Sequence, residues 1–142
     1  MRNKRKKGGL LTVAMIWAAF ATTNYNPAIA DDYTINNYND LNKALSGNKF
    51  GDISNPSQLQ AGDTVILEGN ITPTSSITTA IDNITLNGSG NSYSTNIPSL
   101  NGFDINSEGQ TIENISINGF NNAINVISNG SLTLTDTTFN NN

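Results

Sequence analysis

Residues 105–117, INSEGQTIENISI, lie over residues 127–139, ISNGSLTLTDTTF, without a gap. The offset is about 22 residues, and apolar or hydroxyl side chains meet one another at residues 105, 111, 112, 115, 116 and 117 of the first copy. A shorter pair, NITLNG at 83–88 and NISING at 114–119, carries the self-similarity toward the N-terminus. A unit this short cannot bury its own apolar face, so it is stable only when stacked on copies of itself. The sequence therefore predicts a solenoid.

Within the units the apolar residues alternate with polar ones at the period of a strand, not a helix. Val65 and Leu67, then Ile84 and Leu86, then Phe103 and Ile105, Ile112, Ile115 and Ile117, Ile124 and Val126, and Leu132 and Leu134 supply the inward beat. Ile71, Ile77 and Ile81 punctuate a Thr/Ser-rich stretch, and Phe120 and Phe139 fall near strand ends. Asn87-Gly88, Asn118-Gly119 and Asn129-Gly130 are the expected corners, because Asn and Gly tolerate positive φ. The expected fold is all-β, a right-handed parallel β-helix whose coils stack at about 4.8 Å. A leucine-rich repeat has a similar unit length, but its Leu-x-x-Leu-x-Leu core and helical half-repeat are missing. The Asn, Ser and Thr content would also suit a disordered tract, yet disorder lacks a regular apolar stripe. Asparagine has a structural use in stacked coils, where side-chain amides at turns can bond from one coil to the next.

Three segments precede or interrupt this pattern. Residues 1–30 read as a secretory signal peptide: Arg2, Lys4, Arg5, Lys6 and Lys7, an apolar run from Leu10 to Ala21, and Ala28-Ile29-Ala30 before a cleavage site between Ala30 and Asp31. The apolar run is about a dozen residues, short of the roughly 20 that a spanning helix needs. Residues 31–60 read as a lead-in and cap, with a short helix over Asp40 to Leu45, Asp40 as N-cap candidate and Gly47 as stop. Such a cap would cover the apolar end of the first coil. Coils are expected over residues 61–142, with Ser89 to Gly102 as an insertion projecting from one rung.

Removing the leader takes five of the seven basic residues and none of the 11 acidic ones. Lys43 and Lys49 remain, and the exported chain carries a net charge near −9. A surface of that sign without Arg disfavours nucleic acid and anionic lipid as partners. Cysteine is absent, so no disulfide framework contributes.

The chain after the leader also has no His or Arg, which removes most general bases and oxyanion clamps. Asp104, Glu108 and Glu113 fall in one unit, and Asp136 in the next lies opposite Asn114. A glycosidase needs two carboxylates facing across a cleft, and solvated surface charge is the simpler account of these four. Asp82 with Asn83, and Asp104 with Asn106 and Glu108, offer oxygen ligands for calcium, but neither fits the Asp-x-Asp/Asn-x-Asp/Asn-Gly loop pattern. No catalytic, cofactor-binding or metal-ligating residue is assigned, and no cofactor is expected.

GDTVILEGNI at 62–71, DNITLNGSGN at 82–91 and GSLTLTDTTFNNN at 130–142 resemble the exported β-helical passengers of bacterial autotransporter adhesins and polymorphic outer-membrane proteins. The resemblance covers most of residues 62–142 together with the lead-in, and implies a non-enzymatic adhesin passenger at the cell surface, exported through the inner membrane. It implies partners among host or neighbouring cell-surface glycans or proteins, with membrane attachment through a C-terminal barrel absent from these residues. Pectate-lyase-like enzymes share such coils, so a polysaccharide-active β-helix with its catalytic coils elsewhere is one alternative, and a purely structural spacer is another. The final copy stops just after a strand. This reads as the N-terminal part of a longer array, with self-association expected through the open edge from Leu132 to Phe139.

Overall fold

A computed structural model describes residues 29–142, so the predicted leader, apart from its last two residues, lies outside the described part. The chain forms a parallel β-solenoid of about 4 turns. Among the described residues nine strands and one helix follow in order: β1 (Asp32–Ile35), α1 (Tyr38–Leu45), β2 (Thr64–Leu67), β3 (Ile77–Thr78), β4 (Thr85–Asn87), β5 (Ser92–Ser94), β6 (Asn101–Ile105), β7 (Gln110–Asn118), β8 (Asn122–Val126) and β9 (Leu132–Asn140). Every pairing between these strands is parallel.

Three faces enclose the core. β1, β2, β4 and the first halves of β7 and β9 build the first face. β5 and the second halves of β7 and β9 build the second, joined by a bridge from Ile71 to Tyr93. β3, β6 and β8 build the third. The long strands β7 and β9 turn from the first face to the second at Asn114 (φ 51°) and Asp136 (φ 45°), single left-handed residues of the type that tolerates that conformation best after glycine.

Alternation decides what lies inside. Tyr33, Val65, Leu86, Ile112 and Leu134 stand in one inward rank across five rungs. On the second face Ile71, Tyr93, Ile117 and Phe139 do the same, and on the third Ile77, Phe103 and Ile124. Tyr93 stacks between Phe103 (centroids 4.4 Å apart) and Phe120 (5.1 Å), an aromatic column where the second and third faces meet. Exposure rises only in the last coil, with Leu134 at 45% and Phe139 at 43%, because β9 has a neighbour on one side alone.

The overlay of residues 105–117 on 127–139 is the observed register. Gln110 pairs with Leu132 and Asn118 with Asn140 at a constant step of 22. The match of NITLNG to NISING is not. Thr85 sits on Thr111 and Leu86 on Ile112, so the coil step there is 26 instead of 31. The expected insertion from Ser89 to Gly102 is also corrected. It contains β5 and the start of β6, and its Tyr93 is fully buried; the extra residues form corners, not a projection. Of the expected positive-φ corners only Gly119 has one (83°). Gly88 and Gly130 are small for another reason: a Cβ there would meet Ile115 and the Ile105 carbonyl of the adjacent coil.

The lead-in holds more structure than its composition implied. Residues 32–35 form the first rung of the first face, pairing with β2. The helix begins two residues before Asp40, capped by Asn37: its Oδ1 accepts from the Asp40 N–H (2.9 Å) while its Nδ2 donates back to the Asp40 carboxylate (2.9 Å). Asp40 is thus the third helical residue of a reciprocal cap. That amide, then the Gly51 N–H, holds the Asp40 carboxyl below the usual carboxylate range. At the other end the Gly47 N–H donates to the Ala44 carbonyl and the Asn48 N–H to Lys43 (3.0 and 2.8 Å), the paired closure that goes with a left-handed residue after a helix. Leu41, Ala44 and Leu45 face the core. The Ala80 N–H donates to the Leu45 carbonyl (3.0 Å), so α1 takes the place beside β3 that a strand of a preceding coil would hold.

One buried polar atom has no partner among the described residues, the Tyr93 hydroxyl. Burial holds its phenol well above the ordinary range. A buried hydroxyl without a partner costs about 1–3 kcal/mol of desolvation. Tyr93→Phe is therefore expected to raise stability by about 1 kcal/mol, read as a higher urea midpoint with an unchanged slope.

Candidate functional site

With the inward positions committed to packing, chemistry is left to the outward ranks and the corners. On the first face Thr64, Thr85, Thr111 and Thr133 form one continuous rank of threonines, each above the last. Beside it runs Ile66, Asn87, Glu113 and Thr135, in which the Asn87 amide donates to the Glu113 carboxylate (2.8 Å). On the second face the hydroxyls of Ser116 and Thr138 are 2.7 Å apart, and Asn140 donates to Asn118 (2.9 Å). On the third, Asn125 donates to Asp104 (3.0 Å) and Asn122 to Asn101 (3.2 Å). The expectation that side-chain amides tie coil to coil holds at the corners as well. Asn70 accepts from the Ser92 N–H, Asn91 donates to the Leu67 carbonyl, and Asn142 engages the Phe120 N–H and the Ile117 carbonyl.

Between the first and second faces the corner opens into a groove of about 440 Å³ that crosses three coils, lined by Asn87, Ser89, Gly90, Asn114, Ile115, Ser116, Asp136 and Thr138. The left-handed residues Ser89 (φ 52°), Asn114 and Asp136 all border it. That backbone turns the chain from one face to the next and leaves the three side chains on the outside of the bend. Asn87 fixes one wall, accepting from the Ser89 N–H (2.8 Å) while it holds Glu113. The groove thus offers a hydroxyl, a carboxamide and a carboxylate at its open side, above a buried Ile115.

The carboxylates singled out in the sequence are dispersed. Asp136 lines the groove and does stand one rung from Asn114, between the Glu113–Thr135 and Ile115–Thr137 pairs. Glu113 is engaged by Asn87. Asp104 is a rung of the third face. Asp82 accepts from the Glu108 N–H (2.8 Å), a turn tie between adjacent coils. Among the described residues no three of His, Cys, Asp and Glu converge as a metal site would require. No helix among them is long and apolar enough to cross a membrane. Ala30 and Asp31, flanking the expected cleavage site, are both exposed.

Sequence reasoning passed over two features. The place of Ser89 beside Asn114 and Asp136 was hidden because corner positions carry no period. Asp63 carries no sequence signal of burial, yet it is 1% exposed and its carboxylate accepts from the main-chain N–H groups of Asp31 (2.9 Å) and Gln60 (2.7 Å).

Comparison with protein families, with curated proteins and with solved structures found no match to the chain.

Proposed function

We propose that this chain is an exported, non-enzymatic surface β-solenoid of the autotransporter-adhesin type, binding glycans or proteins of host or neighbouring cells through its outer ranks and corner groove. The observation that carries this reading is the repetition of hydroxyls and amides on successive coils, with Ser89, Asn114 and Asp136 gathered at one groove. Repeated weak hydrogen-bonding sites at fixed spacing sum through multivalency. Asp136 is the one charged residue lining the groove, which together with the net negative charge favours neutral saccharides over sialylated or sulfated ones. The basic, apolar and small-residue order of residues 1–30 supports export.

The test is binding of the purified chain to cells, matrix proteins and an array of neutral and acidic glycans. Asn114→Gly and Asp136→Gly keep a residue that tolerates left-handed φ, so the coil should persist. Each is expected to weaken single-site binding about tenfold, the loss of one or two hydrogen bonds to a sugar hydroxyl. A chain that binds none of these surfaces, or variants that bind as well as the parent, would count against the proposal.

A further inference from the structure

The buried Asp63 and the exposed Ala30–Asp31 bond meet at the first rung. Asp63 is 1% exposed, and its Oδ1 accepts from the Asp31 main-chain nitrogen at 2.9 Å. Its Oδ2 accepts from the Gln60 N–H at 2.7 Å. Neither donor brings a positive charge, and a buried carboxylate is costly until one does. On the other side of the same residue, the Thr64 N–H donates to the Asp31 carbonyl (2.9 Å). The fold thus grips Asp31 by both main-chain groups. Ile29, two residues earlier, is 84% exposed. The position where the leader motif ends is the position where the described fold takes hold.

We propose that cleavage of the Ala30–Asp31 bond converts this hydrogen bond into an ion pair between the new α-ammonium of Asp31 and the buried Asp63 carboxylate, so that removal of the leader locks the first coil. This inference rests on the export reading above. In the cleavage, water adds across the amide: the C–N bond breaks, Ala30 leaves as a carboxylate carrying the water oxygen, and the Asp31 nitrogen takes both of the water's protons to become an ammonium. The nitrogen need not move, because the amide already stands at ion-pair distance from Oδ1. The other titratable groups about it are the Asp31 carboxylate itself, the adjacent Asp32 and Tyr33. The Tyr33 phenol is pushed up by burial first, then by the negative charge of Asp63 and Asp31. A positive charge there offsets three negative ones, where neither hydrogen-bond donor to Asp63 among the described residues carries a charge.

The sign of the pH dependence follows. An ammonium gaining a carboxylate partner titrates higher in the folded chain than in the unfolded one, so its stabilisation is complete below about pH 8 and is lost as pH rises through the folded value. The experiment expresses the full chain in a secreting bacterium, determines the N-terminus of the exported product by intact mass, and titrates its α-amine by pH-dependent acylation in native buffer and in denaturant. The expected product begins at Asp31, and its native amine titrates about one pH unit above the denatured one, a roughly tenfold contribution to the folding equilibrium. Asp63→Asn is expected to abolish the difference; should that variant fail to fold, the comparison of native and denatured wild type still decides. A product that begins at Asp31 with the same titration in both states would overturn the ion pair and leave export intact. An exported product beginning elsewhere would overturn the ion pair at Asp31, and a chain that is not exported at all would overturn the export reading and the ion pair with it.

Discussion

Phe103→Ala is expected to remove about 3–5 kcal/mol of stability, the range for truncating a fully buried aromatic side chain. Phe103 has no exposed surface, stacks on Tyr93 at 4.4 Å, and stands between Ile77 and Ile124 in the inward rank of the third face. Its loss opens a cavity that no neighbour can fill, since the ranks above and below are fixed by main-chain ladders. A chain of this length has a total stability of about 5–15 kcal/mol, so the variant should lie near the folding threshold. Urea unfolding followed by circular dichroism checks this, the midpoint falling steeply while the slope stays that of a compact fold. A loss below about 1 kcal/mol would mean that the aromatic column is not packed as described.

Gly119→Ala is expected to be as damaging for a different reason. Gly119 sits in the left-handed region at φ 83°, and a Cβ there would run into the Thr95 carbonyl oxygen of the neighbouring coil. The left-handed backbone alone costs roughly 1 kcal/mol for a residue with a Cβ. The collision cannot be relieved by a rotamer change, because the struck atom is main chain, and a total of about 3 kcal/mol or more is expected. Gly62→Ala separates the two contributions. Gly62 has a φ of 101° but open space around it, so it should lose only about 1 kcal/mol. Equal losses at the two sites, measured by thermal unfolding, would contradict the close coil-on-coil approach at Gly119.

The same coil geometry explains what could be read from the letters alone. The step from β7 to β9 carries no inserted residue, so the inward beat of Ile112, Ile115 and Ile117 recurs directly in Leu134, Thr137 and Phe139. Between β4 and β7 the corner residues Ser89 and Gly90 and the longer path to β6 change the step, and the best match of letters then lands on the wrong rung. NITLNG and NISING look alike because any inward-facing strand flanked by Asn turns has that pattern. Tyr93 escaped notice because SYS offers one aromatic residue where neighbouring coils use Ile, with only two polar flanks to mark a strand. The first rung, DYTI, lies 32 residues from its partner because the intervening coil includes α1. The groove was legible only as the Asp136 and Asn114 juxtaposition. Corner residues are selected for backbone conformation, and nothing in their spacing announces which side chains will share a concavity. Asp63 is the sharper case, since its burial depends on a main-chain partner 32 residues earlier.

Both the outer ranks and the groove depend on the rungs being stacked in the stated register, and the absence of native cysteine allows that to be measured directly by disulfide trapping. Thr85 and Thr111 are paired on the outside of the first face. Neighbouring strands lie about 4.8 Å apart, within the span that a disulfide bridges. The double substitution Thr85→Cys with Thr111→Cys should therefore crosslink on mild oxidation within a monomer. Thr85→Cys with Ser116→Cys, the pair that the NITLNG/NISING overlay would align, should not. Crosslinking of the second pair and not the first would contradict the coil register, and with it the threonine rank and the groove built upon it.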